Sequence, residues 1–202
     1  METRIITISR EFGSGGRTIA KEVANKLGFK YYDKELVKQI SVETGFHEDY
    51  INEVGQYAPS SNWFSMLFSS HNAHATTQGL SMNDFLWTMQ YQIISKVADE
   101  GPCVIVGRCA DFVLRERDDC FNVFIHSNLK AREERILRLY GSSDVTPEKR
   151  LTEKDKKRKL YYKHYTGNDW GMSQNYDLCL DSSRIGIENC ADIIIAAAGF
   201  AK

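Results

Sequence analysis

Residues 5–20 read IITISREFGSGGRTIA. The stretch opens on a run of β-branched apolar residues, which predicts a short buried strand. A loop follows with Gly13, Gly15 and Gly16, and Arg17-Thr18 then opens an amphipathic helix. A strand that feeds a glycine loop and a helix N-terminus is a phosphate cradle: backbone N–H groups converge on the anion and the helix end adds partial positive charge. The usual pattern G-x-x-x-x-G-K-[ST] is met at Gly16 and Thr18. It is broken at Glu11, in the glycine position, and at Arg17, in the lysine position.

Outward from this loop, strand and helix patterns alternate. Apolar residues at 19, 20, 23, 24 and 27 give a helix over 18–27, with Gly28 at its C-cap. A strand at 29–33 ends in Asp33, and a helix over 34–43 stops at Thr44-Gly45. Residues 46–54 suggest a further turn or two of helix. Residues 56–81 are rich in Ser, Asn, His and Thr around the aromatic patch at Trp63. This segment reads either as a ligand-responsive flap or as a helical insert packed on the body. A long helix over 82–99 breaks at Gly101-Pro102. A strand follows at 103–106, then Gly107-Arg108, a helix from Cys109 to 114, and a strand at 121–125. A helix over 128–140 carries Arg132, Arg135 and Arg138 near one face. Between Glu148 and Lys163 eight basic residues face three acids. A strand over 177–181, a short helix at 185–191 and a last helix or strand fragment at 192–197 close the chain. This alternation means an α/β fold with a mostly parallel sheet. Ligands of such sheets sit at the carboxyl ends of the strands, and the glycine loop, Asp33, Arg108 and His126 all fall there.

The chain has 202 residues, 42% hydrophobic and 26% charged, with a formal net charge of -1. That is one globular domain with a sizeable core, and the charge argues against a bulk-basic nucleic-acid binder. The five cysteines are scattered without metal or redox spacing, so reduced thiols are expected. His71 and His74 have no third ligand at metal spacing. No signal segment or membrane-length apolar run is evident, so the expected location is cytoplasmic and no membrane partner is expected.

The segments SREFGSGGRTIA (9–20), YYDKEL (31–36), VIVGRCADFVL (104–114), the helix start at Lys130-Ala131-Arg132, DKKRKLYY (155–162) and YDLCLDSS (176–183) together carry a family likeness. The chain resembles the cytidylate kinases, within the P-loop nucleoside monophosphate kinases, and most of all their divergent cytidylate kinase-like branch. The resemblance covers nearly the whole chain. It implies a three-layer α/β fold over 1–202, with an acceptor-binding helical insert at about 34–81 and a lid at about 141–170. It implies ATP and Mg2+ as cofactors, with phosphoryl transfer to CMP or dCMP. The partners would be small nucleotides, in a monomer or homodimer.

Carried over by residue, Gly13, Ser14, Gly15, Gly16, Arg17, Thr18 and Ile19 bind the nucleotide. Arg17 stands for the lysine, and Thr18 lies near the magnesium-binding hydroxyl. Asp33 and Arg108 contact the acceptor, while Arg132 and Arg158 join Arg17 and Arg108 as catalytic cations. Cys109 stands where the family has an aspartate, and Gln39 where it has an arginine.

Bottom-up, alternatives stay open. Thr18 is a metal ligand or a helix cap. Asp33 orients the acceptor, caps the helix that follows, or does both. Glu11 must pair with Arg10, Arg17 or a metal, because an unpaired carboxylate repels phosphate. Most of the 149–163 run is a solvated face, from which Asp155 is expected to pair with Arg158 three residues on. The alternative functions are a kinase for another small acceptor and a nucleotide-binding regulatory protein without turnover.

Overall fold

The computed structural model describes residues 3–49, 51 and 82–200. The segment around Trp63, with His71 and His74, lies outside the described residues.

Five strands form one sheet: β1 (Ile5–Arg10), β2 (Lys30–Tyr32), β3 (Cys103–Val106), β4 (Cys120–His126) and β5 (Leu178–Asp181). Their spatial order is β2-β3-β1-β4-β5, and every pairing is parallel. Parallel neighbours need helical crossovers. These are supplied by α1 (Gly16–Leu27), α2 (Lys34–Thr44), α3 (Met82–Asp99), α4 (Ala110–Val113), α5 (Leu129–Tyr140) and α6 (Pro147–Thr166), followed by α7 (Ser182–Ile185) and α8 (Ile187–Ala197).

Two-residue periodicity splits the central strands between two cores. Ile5, Cys103 and Ile105 face α2, α3 and α4, packing with Leu36, Ile40, Ile94 and Val113. Ile6, Ile8, Val104 and Val106 face α1 and α8, packing with Ile19, Val23, Cys190 and Ile194. The result is three layers with the sheet buried on both sides, which is why its strands read as continuous apolar runs. All five cysteines are free thiols, three of them buried.

Several boundaries differ from expectation, two of them with a clear cause. β1 runs two residues further than its apolar core, because Ser9 and Arg10 stay in register with Phe124 and Ile125. Arg10 is therefore the last strand residue, not part of a loop. The expected break at 191–192 is absent: Gly186, at φ 86°, separates the single turn of α7 from one continuous α8 over Ile187–Ala197.

Candidate functional site

The glycine loop lies between β1 and α1, at the carboxyl edge of the sheet. Gly15 takes the left-handed conformation (φ 83°) and ends the loop, so the helix begins at Gly16. α5 and α6 close directly on this loop. A Cβ on Gly13 would sit 3.0 Å from the Arg132 carbonyl and 3.1 Å from Leu151 Cδ2. Ser182 fastens the far side by donating to the Ser14 carbonyl at 2.6 Å.

Beside the loop opens a cleft whose empty space, open mouth included, is about 580 Å3. Arg10, Arg17, Arg108 and Arg158 all line it, with Asp33, Tyr161 and Tyr162. Arg108 reaches it through an unusual turn. Gly107, Arg108 and Cys109 have φ of 68°, 59° and 53°, three successive left-handed residues. For the two non-glycines this conformation is uncommon and strained. The turn is held by Gln90, which donates to the Arg108 carbonyl at 2.9 Å. Burial lowers the pKa of Arg108, as expected for a guanidinium drawn into a cleft.

Arg17 makes a two-pronged ion pair with Asp33, at 2.9 Å from Nε to Oδ2 and 3.2 Å from Nη2 to Oδ1. Asp33 thus faces Arg17 and the cleft; although it is the N-cap residue of α2, its side chain makes no capping bond. Thr18 is exposed in the first turn of α1, and Gly15 rather than Thr18 is the N-cap. Among the described residues no group of three His, Cys, Asp or Glu side chains could hold a metal. Mg2+ on a nucleotide needs only one or two protein oxygens beside the phosphates, and the Thr18 hydroxyl at the loop–helix junction fits that modest demand.

Glu11 resolves as a structural partner. It pairs with Arg132 Nη1 at 3.2 Å and accepts from the Ser127 amide at 3.1 Å, so the expected pairing with Arg10 or Arg17 is not the one formed. Arg132 is 8% exposed. It also donates to the Phe12 carbonyl at 2.8 Å and pairs closely with Asp155. Asp155 accepts in addition from the Phe12 amide at 2.8 Å and from Arg158 at 3.3 Å. The expected Asp155–Arg158 pair therefore exists within a larger junction that clamps α5 and α6 onto the loop. Arg132 belongs to this junction and is absent from the cleft lining, whereas Arg158 reaches the cleft. Arg158 Nη1 also donates to the Arg10 carbonyl at 3.0 Å. Lys156, Lys157 and Lys159 are exposed, as the solvated-face reading requires.

The base of α6 rests on α3 through aromatic rings. Trp87 stacks on Tyr165 at 4.6 Å and meets Tyr161 edge-on at 6.2 Å. Behind the cleft, Asp111 is 4% exposed and accepts from the Tyr162 hydroxyl at 2.6 Å. Burial pushes its pKa up to about 6 against the opposing hydrogen bonds from Tyr162 and Ser9. An acid whose folded pKa lies above its unfolded value binds more protons when folded. It therefore favours folding below about pH 4, and that contribution is lost as pH rises through 6. Asp111→Asn should remove this dependence, which is worth on the order of 3 kcal/mol at two pH units. Melting curves from pH 4 to pH 7 should show native protein losing stability relative to the variant; parallel curves would refute the assignment.

Sequence reasoning missed Arg10, Asp111 and the full reach of Asp155. A signal existed for Arg10: like Arg108, it directly follows a buried strand, where a cation is costly without an anion.

The sequence profile of the cytidylate kinase-like family matches residues 5–184. A cytidylate kinase of Archaeoglobus fulgidus is 28% identical over 197 residues, covering 95% of this chain and 93% of its own. A solved structure of an uncharacterized protein from Eubacterium ventriosum superposes with a TM-score of 0.71 at 25% identity, over 96% of this chain and 97% of that one. Shikimate kinase from Acinetobacter baumannii shares the fold at a TM-score of 0.54 and 15% identity, over 96% and 91% of the two chains.

Proposed function

The chain belongs to the cytidylate kinase-like family, and on that premise we propose that it transfers the terminal phosphoryl group of Mg-ATP to CMP or dCMP. A kinase that acts on small molecules is the broader reading supported by the family and its relatives. The observation that carries the proposal is the cleft itself: four arginines converge beside a glycine loop, with Asp33 the one carboxylate among the described lining residues. Such a site demands a polyanion, and a donor triphosphate end facing an acceptor phosphate supplies one. In the transfer, the terminal P–O bridge breaks while a bond to an acceptor phosphate oxygen forms, and the bridge electron pair stays on ADP. The protein's part is placement and charge, so no general base is required.

Gly13 to Ile19 would hold the nucleotide, with Thr18 supplying the protein oxygen to Mg2+. The metal would neutralise phosphate charge. Arg108, on its left-handed turn, would grip the acceptor, with Asp33 nearby. We assign the acceptor insert to about 34–81 and the lid to about 141–170, with Arg158 as the lid's contribution and Arg132 as its anchor.

A second reading, a different small acceptor, is favoured by Cys109. This residue is 5% exposed and packs with Tyr161 and Tyr162, where the family resemblance calls for an aspartate. A panel of nucleoside monophosphates, shikimate and simple sugars incubated with Mg-ATP decides between them. Diphosphate formation from CMP or dCMP is the expected result. Turnover confined to another acceptor would establish the second reading, and ATP binding without any turnover would remove both.

A further inference from the structure

The arginine that approaches the loop most intimately is one the sequence pattern does not select. Arg10 leaves β1 as its last residue and folds back over the start of α1. A Cβ on Gly16 would lie 2.5 Å from Arg10 Cβ and 2.9 Å from Cγ. Its guanidinium then extends to the turn after β3, where a Cβ on Gly107 would run into Arg10 Nη1. Two glycines on two different elements thus leave room for this one side chain. The neighbouring carboxylates are engaged elsewhere: Asp33 by Arg17, Glu11 by Arg132, and Asp155 by Arg132 and Arg158. Among the described residues none accepts a hydrogen bond or ion pair from the Arg10 guanidinium. Arg158, Arg17 and Arg108 all raise the positive potential around it, and burial with that repulsion pulls its pKa down to about 9. It remains charged at neutral pH, buried among three like charges and opposed in part by Asp33.

Arg17 is in the opposite situation. Its side chain is 47% exposed and its charge is matched by both oxygens of Asp33. To meet a phosphate it would first have to leave a good partner.

We infer that Arg10, rather than Arg17, is the cation that meets the terminal phosphates of the bound nucleotide. The inference rests on the kinase reading of the cleft and names a residue within it. A planar guanidinium can take two phosphate oxygens at once. Anchored at the base of the cleft between loop and β3, Arg10 lies where donor and acceptor phosphates would come together. Arg17 and Asp33 then form a separate pair on the wall of the cleft.

The test is binding of inorganic tripolyphosphate, which needs neither an acceptor nor turnover, measured by calorimetry alongside melting temperature. Arg10→Met keeps length and removes charge. It should melt no lower than the native protein without ligand, because an uncompensated cation is gone. It should bind tripolyphosphate at least about tenfold more weakly, the loss expected of a charged hydrogen-bond pair. Arg10→Lys should fall between the two, and Arg17→Met, whose charge is already matched by Asp33, should lose several-fold less affinity than Arg10→Met. Native-like binding by Arg10→Met would overturn the inference, as would an equal loss in Arg17→Met or a native protein indifferent to tripolyphosphate. Should Arg10→Met fail to fold, Arg10→Lys decides: weakened binding supports the inference and unchanged binding overturns it. A loss confined to Arg10 in a protein that phosphorylates nothing would remove the kinase reading and leave this assignment standing. Intact binding in Arg10→Met, with native turnover on CMP, would do the reverse.

Discussion

Replacing Asp155 with alanine is expected to lower the melting temperature by roughly 10 °C. Asp155 is 7% exposed, and it joins α6 to Arg132, to the Phe12 amide and to Arg158. Removing it leaves the buried Arg132 with the Phe12 carbonyl and, as its remaining carboxylate among the described residues, the more distant Glu11, and strips an acceptor from a loop amide. Breaking a buried pair from one side costs about 3–5 kcal/mol, and for a chain of this size each kcal/mol shifts melting by about 2–4 °C. Glu153→Ala is the control two residues away. Its 3.9 Å pair with Lys149 is exposed on both sides, so the variant should melt within a degree or two of native. Pairing Asp155→Leu with Arg132→Met should recover part of the loss, since matched apolar replacements remove the uncompensated charge. A native melting temperature in Asp155→Ala would mean that α6 does not depend on this junction.

The same junction shows where the sequence was legible and where it was not. Elements written in local pattern were readable. The β-branched run at Ile5 to Ile8, the apolar rhythm of α1 and the Gly28 cap need only nearest neighbours along the chain. So were the carboxyl-edge positions of Arg108 and Asp33, because parallel topology places them there. Pairings between distant segments were not. Nothing in the spacing of Glu11 and Arg132 says that they meet across 121 positions, and Asp155 shows only its intrahelical partner in the sequence. The motif likewise gives no sign that Arg17, in the lysine column, pairs with Asp33. Meanwhile the strand continues past its last isoleucine and delivers Arg10 to the cleft. The left-handed turn at 107–109 was equally hidden, since Arg108 and Cys109 carry no glycine-like signal for positive φ.

Arg158→Ala should lower turnover at least tenfold while ATP affinity changes little. The sequence suggests a lid residue that swings in from afar. In the structure Arg158 already lines the cleft, with Nη1 donating to the Arg10 carbonyl and the guanidinium carbon 5.9 Å from the Phe12 ring centroid. α6 is seated on the loop through Asp155 and on α3 through Tyr165. The guanidinium can therefore reach a transferring phosphoryl group by a change of rotamer instead of a large helix movement. Charge on that group's oxygens is redistributed most in the transition state, so a cation aimed there acts on turnover more than on ground-state binding. A tenfold loss corresponds to about 1.4 kcal/mol of barrier, a modest demand on one charged contact. Steady-state kinetics with Mg-ATP and the acceptor found by the panel, together with calorimetric ATP affinity, separate the two effects. Lys156→Ala and Lys159→Ala, on the exposed side of the same helix turn, should leave both quantities near native. Equal small losses at all three positions would mean that the charge of α6 acts only as a diffuse field. A large loss of ATP affinity at Arg158 would mean that it binds the donor in the ground state, and the role in the chemical step would fall.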